Sequence, residues 1–106
     1  MKMTTEEAFV KTLQMHGISQ AFGIIGSAMM PISDLFPAAG IKFWDCAHEG
    51  SAGMMADGYT RVTGQVSMMI AQNGPGTTNF VTAVNPVDCS HTRLLLATPQ
   101  AANKTI

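Results

Sequence analysis

Three short stretches combine residue types that could do chemistry: Gly23-Ile-Ile-Gly-Ser27, Ala47-His-Glu49 and Asn73-Gly-Pro-Gly-Thr-Thr-Asn79. The middle one carries a carboxyl group, Glu49. The outer two are turns built on glycine, which bring bare backbone close to a ligand. Neither turn suits a phosphate. Gly23-Ile-Ile-Gly26 is not the Gly-x-Gly-x-x-Gly dinucleotide pattern, and the stretch after Gly74 lacks the Gly-Lys-Ser/Thr ending of a P-loop. Pro75 also removes one backbone N–H that a phosphate cradle would use. What remains is a flat pocket walled by glycine backbone with Glu49 aimed into it, suited to a planar, nitrogen-bearing ring. Glu49 also has a plainer reading, because an acid in the first turn of a helix complements the unpaired N–H groups and the helix dipole.

The elements that must position these groups follow from periodicity and from stop signals. Thr4 and Glu7 form a capping box, so a helix is expected from about Thr5 to His16, closed by Gly17. Gln20–Ile25 is a short apolar run ending in a turn, and reads as a buried strand. Ile32, Leu35 and Phe36 make a short amphipathic helix stopped by Pro37 and Gly40, and Ile41–Cys46 is a second strand. From Glu49 the period changes: Ala52, Met55, Ala56 and Tyr59 share one helical face, and Gly53 allows close approach to a neighbour. Asp57 and Arg61 are placed to pair, and Gly64 supplies the stop. Gln65–Ala71 is apolar enough to be a central strand, Thr77 or Thr78 caps a helix over Asn79–Val84, and Arg93–Thr98 is a fourth, buried strand. This alternation predicts a three-layer α/β/α fold on a parallel sheet. Right-handed crossovers bring the three glycine and glutamate loops to one edge, the carboxyl ends of the strands, where open sheets hold ligands.

Composition bounds the remaining possibilities. The chain has 106 residues, 46% of them hydrophobic and 12% charged, with a formal net charge of −1. That is one domain, with a weakly polar surface that invites cover by a partner or by further chain. No basic stripe favours nucleic acid, and no apolar run approaches a membrane span, so a cytoplasmic protein is expected. Cys46 and Cys89 read as reduced thiols, the paired methionines as core or interface filler, and no Asp, Glu or His cluster has metal spacing. His16 reads as a solvated helix-end residue and His91 as a loop residue.

The blocks Gly23-Ile-Ile-Gly-Ser-Ala28, Ala47-His-Glu-Gly-Ser-Ala-Gly-Met-Met-Ala-Asp-Gly-Tyr-Thr-Arg-Val-Thr-Gly64 and Asn73-Gly-Pro-Gly-Thr-Thr-Asn79 together resemble the pyrimidine-binding N-terminal domain of thiamine-diphosphate enzymes of the acetolactate synthase and pyruvate oxidase type. Within that family the flanking text, such as Pro31-Ile-Ser-Asp-Leu-Phe36 and Thr98-Pro-Gln-Ala-Ala-Asn103, is most similar to the sulfoacetaldehyde acetyltransferases. The resemblance implies a flavodoxin-like domain over residues 1–106, incomplete at its C-terminal end, with the central and diphosphate-binding domains absent. It implies that Glu49 is catalytic and hydrogen-bonds ring nitrogen N1′ of the cofactor, that Ile25, Pro75 and Asn79 line the pyrimidine with it, and that Mg2+ belongs to the missing domain. It further implies a homo-oligomer, a dimer or tetramer with the active site between subunits, and a small-molecule substrate, sulfoacetaldehyde. An acetolactate-synthase-like carboligase and a non-catalytic interaction module are the alternatives. By residue type alone, Ile25 is equally a core residue, Gly-Pro-Gly a turn and Asn79 a helix-start residue, while His48 is either positional or a loop hydrogen-bonder. The chain departs from the family at Asn85–Arg93, where Pro86 is expected to break a helix and Arg93 to put a charge at a strand start.

Overall fold

In the computed structural model, residues 2–72, 74–84 and 92–99 are described. The helix α1 (Thr5–Met15) starts as its sequence requires: Thr4 Oγ1 accepts from the Glu7 N–H and the Glu7 carboxylate accepts from the Thr4 N–H. It leads into β1 (Gln20–Gly23), the helical turns α2 (Met30–Ser33) and α3 (Phe36–Ala39), β2 (Lys42–Asp45), the long helix α4 (Glu49–Thr63), β3 (Ser67–Ile70), the turn α5 (Pro75–Thr78), helical backbone at 81–84, and β4 (Leu94–Ala97).

Every strand pair is parallel, in the order β2-β1-β3-β4. The strand alternation sorts the apolar residues into two cores. Ala21, Met68 and Ile70 face α1, α2 and α3, meeting Val10, Leu13, Met29 and Phe36. Phe22, Met69 and Ala71 face the other way onto Ala52 and Ala56 of α4 and onto Phe80. The expected three layers are therefore present. β3 is buried throughout and central, as its composition predicts.

Two expectations need correcting. Pro37 does not stop a helix; it sits in the first turn of α3, where its missing N–H costs nothing, and Gly40 in the left-handed region ends that turn. The fourth strand is a half-buried edge rather than a buried strand, since Leu95 is 37% exposed and no further strand pairs with β4 among the described residues. Arg93 lies just outside β4 and is exposed, so its charge stays in water. The expected break at Pro86, the thiol of Cys89 and His91 lie outside the described residues. Among those that are described, no helix is long and apolar enough to cross a membrane.

Helix α4 is held to the sheet by small residues and by one buried polar link. Ala52 and Ala56 are fully buried, and a Cβ built at Gly53 would lie 2.3 Å from Cβ of Ala83, so only glycine permits that approach. Thr60 Oγ1 and Ser67 Oγ lie 2.9 Å apart, and Ser67 Oγ also donates to the Ala56 carbonyl, which satisfies a serine that is fully buried in a strand. Asp57 and Arg61 pair at 2.9 Å one turn apart, and Gly64, at φ 75°, terminates the helix.

Candidate functional site

Glu49 is the first residue of α4, directly beyond the carboxyl end of β2, and it is 7% exposed. The preceding residue sets its attitude. His48 has extended backbone and caps the helix, Nδ1 accepting from the Gly50 N–H at 2.9 Å. This resolves His48 as a helix cap.

The carboxyl group of Glu49 points to the glycine turn that follows β3. Its Oε1 accepts a hydrogen bond from Asn79 Nδ2 at 3.1 Å. A Cβ built at Gly76 would lie 3.5 Å from Oε2, so the second oxygen faces backbone that carries no side chain. The turn has a different build from that expected. Its helical backbone begins at Pro75, with Gly74 as the preceding residue at φ 72°, and neither Thr77 nor Thr78 caps it. Thr77 Oγ1 donates to the Gln72 carbonyl and Thr78 Oγ1 to the Pro75 carbonyl, and both pin the turn from inside. Asn79 follows α5 and swings its amide back to Glu49.

The remaining residues of interest occupy the same edge. Ile25 is half-buried two positions beyond β1, the neighbour of both β2 and β3, and Pro75 is the exposed first residue of α5. Glu49 and Asn79 are thus in direct contact, while Ile25 and Pro75 share the edge through the loops that bear them. Sequence reasoning missed Gln72. A Cβ built at Gly26 would lie 2.3 Å from both Cδ and Oε1 of Gln72, so this side chain fills the crevice between the loops after β1 and β3. Its Oε1 is buried and has no hydrogen-bond partner among the described residues. The available signal was its position at the end of a central strand where the strand order reverses.

Among the described residues no group of three His, Cys, Asp or Glu could hold a metal ion. The Cys46 thiol is pushed above the ordinary range, chiefly by burial and also by the Asp45 charge, against a backbone hydrogen bond from Gly23 that lowers it. Two apolar hollows of about 480 and 450 Å3 lie away from Glu49, along α1 and β4 around Phe9 and Leu95. They lie between α1 and the strand β4.

The family profile described as "Thiamine pyrophosphate enzyme, N-terminal TPP binding domain" matches residues 3–105. The chain is 81% identical over 106 residues to a sulfoacetaldehyde acetyltransferase of Roseovarius nubinhibens and 73% identical over the same length to one of Rhodobacter capsulatus. In each case all of this chain is covered but only 18% of the relative, so it spans under a fifth of their length. A solved structure from Mycobacterium smegmatis, described provisionally as a thiamin diphosphate-dependent enzyme, superposes with a TM-score of 0.89 at 23% identity. That match covers 97% of this chain and 20% of the other, and it speaks for the fold.

Proposed function

The chain belongs to the thiamine pyrophosphate enzyme family as an N-terminal TPP binding domain, and from that premise we propose that its full native chain is a sulfoacetaldehyde acetyltransferase. The observation that carries the reading is the buried carboxyl of Glu49, fixed at one oxygen by Asn79 and open at the other toward the bare backbone of Gly76. The substrate follows from the relatives that bear the name. In this reaction sulfoacetaldehyde and phosphate give acetyl phosphate and sulfite. The C–S bond breaks, an acyl–O bond to phosphate forms, and no external oxidant is consumed, because the aldehyde carbon is oxidised as the sulfonate-bearing carbon becomes a methyl group.

The residues present fit the pyrimidine half of the cofactor. A planar ring needs a floor without side chains, and Gly76 supplies one beside Glu49. When bound, thiamine diphosphate supplies the carbon nucleophile that adds to the aldehyde. Glu49 would hold a proton against ring nitrogen N1′ with its free oxygen, the role of a positioned general acid–base. Asn79 occupies the other oxygen, so the carboxyl group cannot rotate away. His48 keeps the first turn of α4 wound, and with it the height of Glu49 above the sheet edge. Ile25 and Pro75 would flank the ring with apolar surface and exclude water. The diphosphate and Mg2+ belong to segments outside this chain, and so does the rest of the active site.

The outer side of α4 carries Met54, Met55 and Val62, exposed by 47, 44 and 87%, so Met55, expected on one face with Ala52 and Ala56, lies off the face that packs on the sheet. Apolar exposure of that kind on one helix fits the proposed homo-oligomer. A cytoplasmic location completes the reading.

The test takes the full native chain with thiamine diphosphate, Mg2+, sulfoacetaldehyde and phosphate. Sulfite and acetyl phosphate should appear together, and Glu49→Gln should slow exchange of the cofactor C2 proton about 10²- to 10⁴-fold without unfolding the protein. Pyruvate consumed with no sulfite released would replace this reading with a carboligase.

A further inference from the structure

Histidine can accept a hydrogen bond from a helix start in only one of its protonation states, and His48 is the cap on which Glu49 depends. Its Nδ1 accepts from the Gly50 N–H at 2.9 Å, so the proton of the neutral ring is on Nε2. That bond joins the residues on either side of Glu49 and fixes the backbone from which the carboxyl group starts. Gly50 makes the close seating possible: a Cβ there would lie 3.0 Å from Nδ1 and 3.3 Å from Cε1 of the imidazole. His48 is exposed, so a proton from solvent can reach it. The residues that line the hollow beside it, Gly50, Ser51 and Met54 of α4 and Asn79 and Thr82 of the facing segment, bear no ionisable group. The ionisable residues nearest in the chain are Asp45 and Cys46, at and just after the end of β2, and Glu49, whose carboxyl group is turned to Asn79.

We infer that His48 is a pH-dependent positioning residue, which holds Glu49 in place only as the neutral imidazole. Proton uptake at Nδ1 turns the acceptor into a donor facing the Gly50 N–H, and it sets a positive charge at the N-terminal end of the α4 dipole. Both effects oppose the cap. The cap is therefore present on the high-pH side of the range in which histidines titrate, roughly pH 5–8, and is lost as the pH falls through it. Glu49 then loses the fixed start of its helix, and the 3.1 Å bond from Asn79 loses its rigid acceptor. The consequence for the cofactor rests on the thiamine reading above; the opening of the helix start does not.

The experiment uses the full native chain at about pH 8 and about pH 5.5, on either side of most histidine titrations. It follows amide hydrogen exchange in the ligand-free protein, corrected for the intrinsic effect of pH, and exchange of the C2 proton of bound thiamine diphosphate. In the unaltered protein, protection of the first turn of α4 should fall about fivefold from the higher pH to the lower, the usual effect of losing one helix cap, while the middle of α4 keeps its protection. His48→Asn supplies a side-chain oxygen that accepts at every pH in this range, and it should remove the pH dependence of that protection. His48→Ala, with no cap to lose, should remove it too, from a lower starting value. If the asparagine variant does not accumulate folded, His48→Ser carries the same comparison. The ratio of C2-proton exchange rates between the two pH values should be several-fold larger in the unaltered protein than in the asparagine variant. Equal pH dependence of protection in those two proteins, a loss spread along the whole of α4, no loss at all, or a C2 ratio that the substitution leaves unchanged would each overturn the inference. Failure of the unaltered protein to bind thiamine diphosphate at the higher pH would instead bring down the thiamine reading, and the amide protection would then decide the role of His48 alone.

Discussion

Replacing Gly53 with alanine should damage the site without touching any residue in it. Glu49 and Gly53 lie one turn apart on α4, and Asn79 and Ala83 are likewise four positions apart in the segment that crosses it. The Glu49–Asn79 hydrogen bond and the Gly53–Ala83 contact are therefore successive contacts between the same two segments. A methyl group at position 53 would sit 2.3 Å from Cβ of Ala83, with Phe80 Cδ1 at 3.3 Å and Met69 Sδ at 3.4 Å. Carbon atoms rest at about 3.5–4.0 Å, so the segments must part by more than about 1 Å. Carried one turn along, that displacement stretches the 3.1 Å bond from Asn79 beyond hydrogen-bonding range. Overpacking costs about 1–3 kcal/mol, and the better helix propensity of alanine returns about 1 kcal/mol, so the domain stays folded. The site should not be spared, because a misplacement of about 1 Å costs on the order of 10²-fold in rate. The assay is sulfite release by the full native chain beside its thermal melt. Gly53→Ala paired with Ala83→Gly removes the opposing methyl group and should restore most of the activity. Full activity in the single variant, or no recovery in the double, refutes the reasoning.

Gly76→Ala places a methyl group 3.5 Å from Glu49 Oε2, on the floor of the proposed ring site. Cofactor affinity should fall at least about tenfold while the ligand-free melt shifts by less than about 1 kcal/mol, as measured by calorimetric titration and denaturation. His48→Ala removes the α4 cap at a cost of about 1 kcal/mol, so amide exchange at the start of α4 should speed up about fivefold, with the middle of the helix unaffected. The Cys46 thiol, raised chiefly by burial, holds less thiolate at neutral pH than an ordinary cysteine. Its alkylation by iodoacetamide should be slower than that of a model thiol at pH 7 and should still be rising at pH 9; a rate already level by pH 8 would contradict the assigned direction.

What could be read from the chain was whatever short-range chemistry dictates. Thr4 and Glu7 cap α1 because both partners lie within one turn, and the sorting of Met68 and Ile70 from Met69 and Ala71 follows from strand alternation alone. Glu49 stood out because a carboxyl group at a strand-to-helix junction falls on the ligand-bearing edge of any parallel sheet. The roles at the second turn were harder. Pro75 pre-sets a helical φ, and so the helix starts there rather than at Asn79; Thr77 and Thr78, good caps by type, spend their hydroxyls on carbonyls already inside the turn. Gln72 was harder still, because its position after a central strand marks it only once the strand order is known. Its significance comes from Gly26, forty-six positions earlier, and only the packing of β1 against β3 brings the two together.

The acid's placement is therefore a property of the sheet's small residues more than of its own helix end. A glutamate at the first position of α4 would gain the dipole benefit anywhere on the protein surface. Here it is buried, which is costly for such a group unless it is hydrogen-bonded. The burial arises because Ala52, Gly53 and Ala56 let α4 settle deep against β1 and β3, drawing its first turn below the rim of the loops. Asn79 meets the resulting need at one oxygen and the bare backbone of Gly76 leaves the other open. A structural acid would be expected to have both oxygens engaged by protein. One oxygen held by Asn79 and one facing a side-chain-free floor supports the ligand-facing role proposed for Glu49, beyond what the dipole of its helix alone requires.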